Sequence, residues 1–336
     1  MILVTGGTGL VGSHLLYKLV KNGEKVIALV RDKKRINVIE KVFSYYSSDT
    51  ALIRKIEFVE GDILDIPLLQ QVISKVNVIY HCAAIVSFNP KDAKLMHTIN
   101  VEGTANMVNV ALENKIQKFC HVSSTAAIGK DPLGGFNTES TEWNNKGASN
   151  YSLSKFKAEQ EVWRGSAEGL NTVIVNPTII LGPGDWGKSS TNLFQEVWNG
   201  LNFYTTGKNA FVDVRDVVNC MIELMNGAIS NERFLIVAEH LSFKDLLIQI
   251  STALGKTPPN TKATSLMTSV GWRLEKLKSL LSHKAPRITK ESAKSGQSTQ
   301  LFSNEKIKQA IGYEFISVKQ SIEDTAALFL RDNTIS

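Results

Sequence analysis

Thr5-Gly6-Gly7-Thr8-Gly9-Leu10-Val11-Gly12 decides how the rest of the chain is understood. Residues 1–4 in front of it are a short apolar strand. Behind it a helical pattern runs through Val20, with Val11, Leu15, Leu16 and Leu19 on one face. Strand, glycine turn and helix, in that order, are the context a phosphate-binding turn requires. Glycine permits the tight bend and the close backbone approach. The helix amino end offers unpaired N–H groups and a positive dipole to a pyrophosphate. A plain glycine-rich turn is the alternative, and the position directly after the first strand argues against it.

Working outward, Val26-Ile27-Ala28-Leu29-Val30 is a second strand, ending at Arg31-Asp32-Lys33-Lys34-Arg35. In a dinucleotide fold this strand end meets the adenosine ribose, where an acidic residue takes the 2′-hydroxyl and an arginine suits a 2′-phosphate. Arg31 comes first and further cations follow, so NADP(H) is preferred, with NAD(H) possible because Asp32 is adjacent. Ile56-Glu57-Phe58-Val59 is a third strand leading to Gly61-Asp62, where Asp62 can accept from the adenine amino group. Residues 76–81 are a fourth, running into Cys82-Ala83-Ala84, whose small side chains let backbone approach a cofactor. His81, flanked by apolar residues, is expected to be a packed strand residue. A long helix is predicted over 92–114, with Leu95, Ile99, Val101, Ala105, Val108 and Leu112 as its apolar positions and Asn100 near its start.

Phe119-Cys120-His121-Val122 is a fifth strand, followed by the hydroxyls Ser123-Ser124-Thr125; Val173-Ile174-Val175 is a sixth. The alternation predicts an α/β fold, a doubly wound parallel sheet with helices on both faces. After Asn176-Pro177-Thr178 the pattern loosens into expected loops, with helical runs near 191–199 and 214–226, a seventh strand at Phe234–Val237, and a mainly helical remainder. The predicted division is a nucleotide-binding part, 1–178 completed by the strand near 233–237, and a smaller substrate part, 179–232 and 238–336.

Between strands five and six lies Tyr151-Ser152-Leu153-Ser154-Lys155. Residues four apart on a helix share a face, about 5–6 Å between Cβ atoms. A neighbouring cation favours phenolate and lowers the phenol's pKa, so such a pair can move a proton onto or off a substrate oxygen. A solvated surface pair has the same spacing, and the surrounding motifs separate the two.

Of the 336 residues, 43% are apolar and 21% charged, the balance of an ordinary globular protein. Cys82, Cys120 and Cys220 form neither a disulfide framework nor a metal-ligand pattern; each sits in an apolar run, as inert thiols in a reducing compartment do. The amino terminus lacks the basic region of a secretory leader, and no run of eighteen uncharged apolar residues predicts a membrane span, so a cytoplasmic location is expected. Residues 256–308 hold eleven Lys/Arg against three Asp/Glu. Such an excess suits an anionic substrate, a membrane surface or nucleic acid, or is a solvated face; the aromatic interleaving of a nucleic-acid binder is missing. Leu266, Val270, Leu274, Leu277 and Leu281 share a predicted helical face, with Trp272, Arg273, Glu275 and Lys276 off it. Trp272 either packs on the same fold or touches a partner, substrate or membrane surface.

Taken in order, the glycine turn, Gly61-Asp62, His81-Cys82-Ala83-Ala84, Asn100-Val101-Glu102-Gly103-Thr104, Val122-Ser123-Ser124, Tyr151-x-x-x-Lys155 and Asn176-Pro177-x-x-x-Leu181-Gly182-Pro183-Gly184 resemble the extended short-chain dehydrogenase/reductase family, within the NAD-dependent epimerase/dehydratase superfamily. The resemblance spans nearly the whole chain. It implies a Rossmann fold with Tyr151 as general acid/base, Lys155 lowering its pKa and holding the nicotinamide ribose, and Ser124 on the reacting oxygen. Ser124 is preferred to Ser123 and Thr125 because it lies five residues before Gly129, as the family's catalytic hydroxyl does; Thr125 then faces substrate. The implied cofactor set is Gly6, Thr8, Gly9, Leu10, Val11, Gly12, Arg31, Asp62, Ile63, Ala83, Ala84, Asn100, Val122, Tyr151, Lys155, Pro177 and Thr178. Trp186, Lys188, Asn192 and Trp272 are loose candidates for the substrate pocket.

Arg31, the Tyr-Ser-Leu-Ser-Lys run and Val-Asn-Pro-Thr at 175–178 look like the dihydroflavonol reductase and 3β-hydroxysteroid dehydrogenase branch. Nucleotide-sugar enzymes usually carry Arg-x-x-Asn-x-Tyr-Gly-Pro after strand six, and dehydratases Asp-Glu after the threonine. Here Asn176-Pro177 and Thr125-Ala126 stand instead. The expected activity is hydride transfer between NADPH and a carbonyl or secondary alcohol of a small molecule, in a monomer or homodimer. A nucleotide-sugar epimerase/dehydratase with tightly bound NAD is the alternative. A non-catalytic dinucleotide sensor is a third reading, weakened because such proteins typically lack the tyrosine–lysine pair.

Overall fold

In a computed structural model of the chain, residues 1–145, 147–264, 267, 272–273 and 290–334 are described. Strands β1 (Ile2–Thr5), β2 (Val26–Val30), β3 (Ile56–Glu60), β4 (Val78–His81), β5 (Lys118–Val122), β6 (Thr172–Pro177) and β10 (Glu232–Ile236) build one sheet. Their order is β10-β6-β5-β4-β1-β2-β3, and every neighbouring pair is parallel. β2 and β6 are buried along their whole length, as apolar strands covered by helices on both faces are. The strand order reverses at β1, which has β2 on one side and β4 on the other. That reversal opens a crevice at the carboxyl strand ends, where ligands bind in such sheets.

The helices close the two faces. α1 (Leu10–Lys21), α2 (Ile36–Tyr46) and α8 (Val214–Asn226) cover one, through Leu15, Leu16, Phe43, Val217 and Met221. α3 (Ile66–Ile73), α5 (Gly103–Glu113) and α6 (Asn150–Ala167) cover the other, through Leu69, Met107, Val108 and Val162. Burying each such side chain contributes about 1.5–3 kcal/mol, so each layer holds its helices firmly.

The helix predicted over 92–114 is three consecutive stretches. α4 (Ala93–Met96) leads through a π-helical segment, His97–Glu102, into α5. A π turn inserts extra chain and rotates the helical face on its amino side relative to the face on its carboxyl side. The expected apolar face is therefore corrected. Leu95 is 51% exposed, Met96 is buried in its stead, and Asn100 and Thr104 turn inward with Val101 and Val108.

Beyond Pro177 the expected loops contain a second sheet. β7 (Ile179–Leu181), β9 (Lys208–Asp213) and β11 (Glu239–Ser242) pair in the order β11-β9-β7. A two-stranded sheet of β8 (Phe203–Tyr204) and β12 (Thr261–Lys262) lies apart from it. β7, β8, β11 and β12 carry too few residues to display alternation, β9 is buried at four successive positions, and the pairings join segments far apart in the chain. The helical expectation holds for α7 (Asn192–Trp198), α9 (Phe243–Ala253), α10 (Lys290–Gln297), α11 (Glu305–Ile311) and α12 (Val318–Thr334). Phe194, Phe211, Leu246, Ile250, Ile322 and Phe329 form a separate core for this part. The predicted face of Leu266, Val270, Leu274, Leu277 and Leu281, with Glu275 and Lys276, lies outside the described residues, as does much of the basic region. Among the described residues no helix is long and apolar enough to cross a membrane.

Candidate active site

The glycine turn is shaped by close backbone contact. Gly6 has φ +69°, and a Cβ there would stand 2.6 Å from the Cys82 carbonyl and the Ala83 nitrogen. A Cβ on Gly12 would meet the Gly6 carbonyl oxygen at 2.2 Å. Only glycine lets β1, α1 and the end of β4 come together this way. Gly9 caps α1 with no side-chain hydrogen bond, which leaves the first-turn N–H groups to a ligand. Thr5 Oγ1 bonds His81 Nδ1 at 2.8 Å and accepts from Ala83 N at 3.3 Å, holding the two strand ends. A pyrophosphate of a dinucleotide fits this cradle: the backbone approach is open and the helix end is uncapped.

At the end of β2, Arg31 is exposed. Asp32 accepts from Lys34 N at 2.8 Å, so its carboxylate caps a short 3-10 turn. Asp62 accepts from Leu64 N at 3.0 Å, and the Ile63 carbonyl accepts from Asn106 Nδ2 at 3.2 Å. Ala83, half-buried, and Ala84, exposed, follow closely after β4. Asn100, expected against the cofactor, is instead a strut. Its Oδ1 accepts from Ile85 N at 2.7 Å, and its Nδ2 donates to Ile85 O at 2.9 Å and Ser154 Oγ at 3.0 Å. The π turn sets it there, tying the loop after β4 to α6.

α6 starts at Ser149, whose hydroxyl accepts from Ser152 N at 3.0 Å, so Tyr151 lies in the first turn and Lys155 one turn on. The Tyr151 phenol lies beside the Ser124 hydroxyl, at the end of β5. Burial pushes the phenol above its ordinary range, and the Ser124 hydroxyl partly opposes this. Lys155 is 1% exposed and donates to the Val122 carbonyl at 2.9 Å. Burial holds the ammonium down to about 8, against the pull of Glu159 and Cys82. The expected lowering of the phenol by Lys155 is therefore not what this arrangement displays: the ammonium is on a carbonyl and desolvation dominates. Thr125 Oγ1 donates to Pro177 O at 3.4 Å, and Thr178 donates to Ile236 O from both N and Oγ1, pinning the β6 end beside the site.

His81 is the packed residue expected. It is buried, its Nε2 meets Thr104 Oγ1 at 3.0 Å, and burial lowers its pKa to about 3. Burial likewise raises the Cys82 thiol to about 12 and Cys120 well above its ordinary value. Trp186 is a correction. Its indole donates to Asp332 at 2.7 Å and its ring packs edge-on to Phe329 at 5.0 Å, in the carboxyl-terminal core. Lys188 pairs with Asp185 at 2.5 Å, and Asn192 opens α7, 3.5 Å from Glu196. Trp272 lies under the Arg273 guanidinium, 4.8 Å away.

Three groups received no role from the sequence. Phe88 meets the Tyr151 ring edge-on at 6.0 Å and is 39% exposed, which puts an apolar face beside the phenol. Asn176 donates to the Ser124 carbonyl at 3.0 Å. Glu159, 2% exposed, accepts from Ser123 Oγ, Asn176 Nδ2 and Arg233 Nη1, each at 2.8 Å. A charged residue on the same helical face as Ala158 and Val162 was the signal available for it.

The chain matches the model of the NAD dependent epimerase/dehydratase family over residues 2–236. It is 30% identical to a putative dihydroflavonol 4-reductase of Synechocystis sp., covering 97% of this chain and 93% of that protein. It is 28% identical to sterol demethylase protein B of Methylococcus capsulatus, over 76% of this chain and 75% of the relative. The crystal structure of gox2253 superposes with a TM-score of 0.80 at 27% identity, covering 99% and 98% of the two chains. With its seven-stranded parallel sheet and glycine turn, the chain is an enzyme of the extended short-chain dehydrogenase/reductase class and belongs to the NAD dependent epimerase/dehydratase family.

Proposed function

We propose that the protein is a reductase/dehydrogenase that moves a hydride between NADPH and the carbonyl or secondary-alcohol carbon of a small molecule. The Ser124 hydroxyl beside the Tyr151 phenol, with Lys155 buried one turn behind, carries this reading. The glycine turn would hold the cofactor's pyrophosphate, and the nicotinamide would supply or take the hydride. Tyr151 hands its proton to the carbonyl oxygen as charge develops there, and Ser124 hydrogen-bonds the same oxygen. A phenol kept protonated by burial suits the donor role in the direction of reduction. Residues 1–178 with the strand near 233–237 hold the cofactor, and 179–232 and 238–336 shape the substrate pocket. NADPH is favoured over NADH because Arg31 is exposed at the β2 end while Asp32 is engaged as a cap.

The exposed ring of Phe88 against Tyr151 favours a substrate with a hydrophobic flank over a nucleotide sugar. Tyr151→Phe is expected to bind NADPH normally and lose turnover across a panel of ketones and aldehydes followed by NADPH absorbance. Turnover retained by that variant sinks the assignment. Nicotinamide cofactor already present in the purified protein, with turnover needing none added, would favour the epimerase/dehydratase alternative.

A further inference from the structure

We propose that Glu159 is a positioning residue of this site: its carboxylate ties the ends of β5 and β6 together behind Ser124, one helical turn from Lys155. The inference rests on the hydride-transfer reading, because it concerns how that site is held.

The geometry is a buried knot. Oε2 accepts from Ser123 Oγ and Asn176 Nδ2, and the same Asn176 amide group donates to the Ser124 carbonyl. A carboxylate can only accept, so it dictates which way the Asn176 amide faces. Both amide donors are thereby directed at Glu159 and Ser124, and the Asn176 Oδ1 is left buried with no partner. Such an orphan is tolerated only where the surrounding bonds outweigh it. Oε1 accepts from Arg233 Nη1 at 2.8 Å and Trp163 Nε1 at 3.3 Å. Arg233 also donates to the Glu139 carbonyl, and Glu139 Oε1 accepts from Leu235 N at 2.8 Å. The knot thus spans α6, β5, β6 and β10.

The electrostatic part follows from placement. Glu159 is four residues after Lys155, on the same face of α6. The groups facing Lys155 are Tyr151 and Glu159 on its own helix, His81 and Cys82 at the end of β4, and His121 on β5. Among these Glu159 is the carboxylate, and it opposes the loss of charge that burial favours. Arg233 faces Glu159 from β10 and draws on the same charge.

The test reads Lys155 directly and needs no substrate. Full-length protein carrying [13Cε]lysine is titrated by NMR, with the Lys155 signal identified by its loss in Lys155→Met. Glu159→Gln is expected to lower the Lys155 midpoint by about one pH unit, and Arg233→Met, which leaves the full carboxylate charge to Lys155, to raise it. The double variant Glu159→Gln/Arg233→Met holds no unpaired charge. It is expected to titrate low like Glu159→Gln, whereas a merely structural role predicts a wild-type midpoint. If Glu159→Gln does not fold, the other two variants decide. Exchange of the Ser123 amide, which donates to Val175 O at 2.8 Å, should quicken about tenfold in Glu159→Gln, the loss of roughly one charge-assisted hydrogen bond. An unmoved Lys155 midpoint in these variants, or unchanged Ser123 exchange, overturns the proposal. Retained turnover in Tyr151→Phe overturns the hydride-transfer reading instead and leaves the Lys155 result standing.

Discussion

Asn100→Ala separates a strut from a cofactor contact. The substitution removes three hydrogen bonds and strands the Ile85 N–H and the Ile85 carbonyl, while the Ser154 hydroxyl keeps its bond to the Tyr151 carbonyl. A buried polar group left without its partner costs about 1–3 kcal/mol. Asn100 is 1% exposed, but Ile85 is half-buried, so water recovers part of the loss at its backbone groups. We expect a net loss of about 3 kcal/mol, in the lower half of the roughly 2–6 kcal/mol that two such groups allow. With an unfolding entropy of roughly 2.1 cal/mol/K per residue over 336 residues, this lowers the melting temperature by about 4 °C. Because Asn100 holds the loop that carries Ala83 and Ala84, NADPH affinity should weaken together with stability. Urea and thermal unfolding, with NADPH titration by fluorescence, measure both. Unchanged stability with a large loss of NADPH affinity would refute the strut and restore a direct cofactor contact.

Arg31→Ala should weaken NADPH binding by about 1.5–3 kcal/mol, the worth of a hydrogen bond to a charged group, and leave NADH binding unchanged. Equal losses for the two cofactors in isothermal titration would count against the 2′-phosphate assignment. Acid should destabilise the fold through buried histidines. His14 and His81 are held neutral by burial, their pKa lowered to about 4 and about 3, and His121 lies well below its ordinary value. Their folded values are below the unfolded 6.5, so the unfolded state binds more protons as pH falls. Stability is complete above pH 6.5 and declines towards pH 4, on the order of 1.4 kcal/mol per pH unit for each histidine. A urea midpoint that stays flat between pH 6.5 and 4 would contradict this.

The nucleotide-binding half was legible because its determinants are local. A glycine turn between strand and helix, strand ends carrying Asp62 and Ser124, and Tyr151 four residues before Lys155 each work through neighbours in the chain. Their order alone predicted the parallel sheet that the structure contains. Local patterns failed where pairing is distant. β7 and β11 are too short to show alternation, β9 is buried at four successive positions, and only their partners make them a sheet. Leu95 and Trp186 show the same limit: a π turn rotated one outward, and an aromatic core around Phe329 drew the other away from the crevice.

By itself the sequence determined the fold class, the phosphate-binding turn and the identities of the candidate proton donor and its cation, since these depend on residue type and short spacing. Tertiary structure alone decided that Asn100 is a strut, that Lys155 rests on the Val122 carbonyl, and that Glu159 and Arg233 meet behind Ser124. Hydrogen bonds and burial act across space, and residues 74 apart in the chain cannot reveal a 2.8 Å contact until the sheet has brought β10 beside β6.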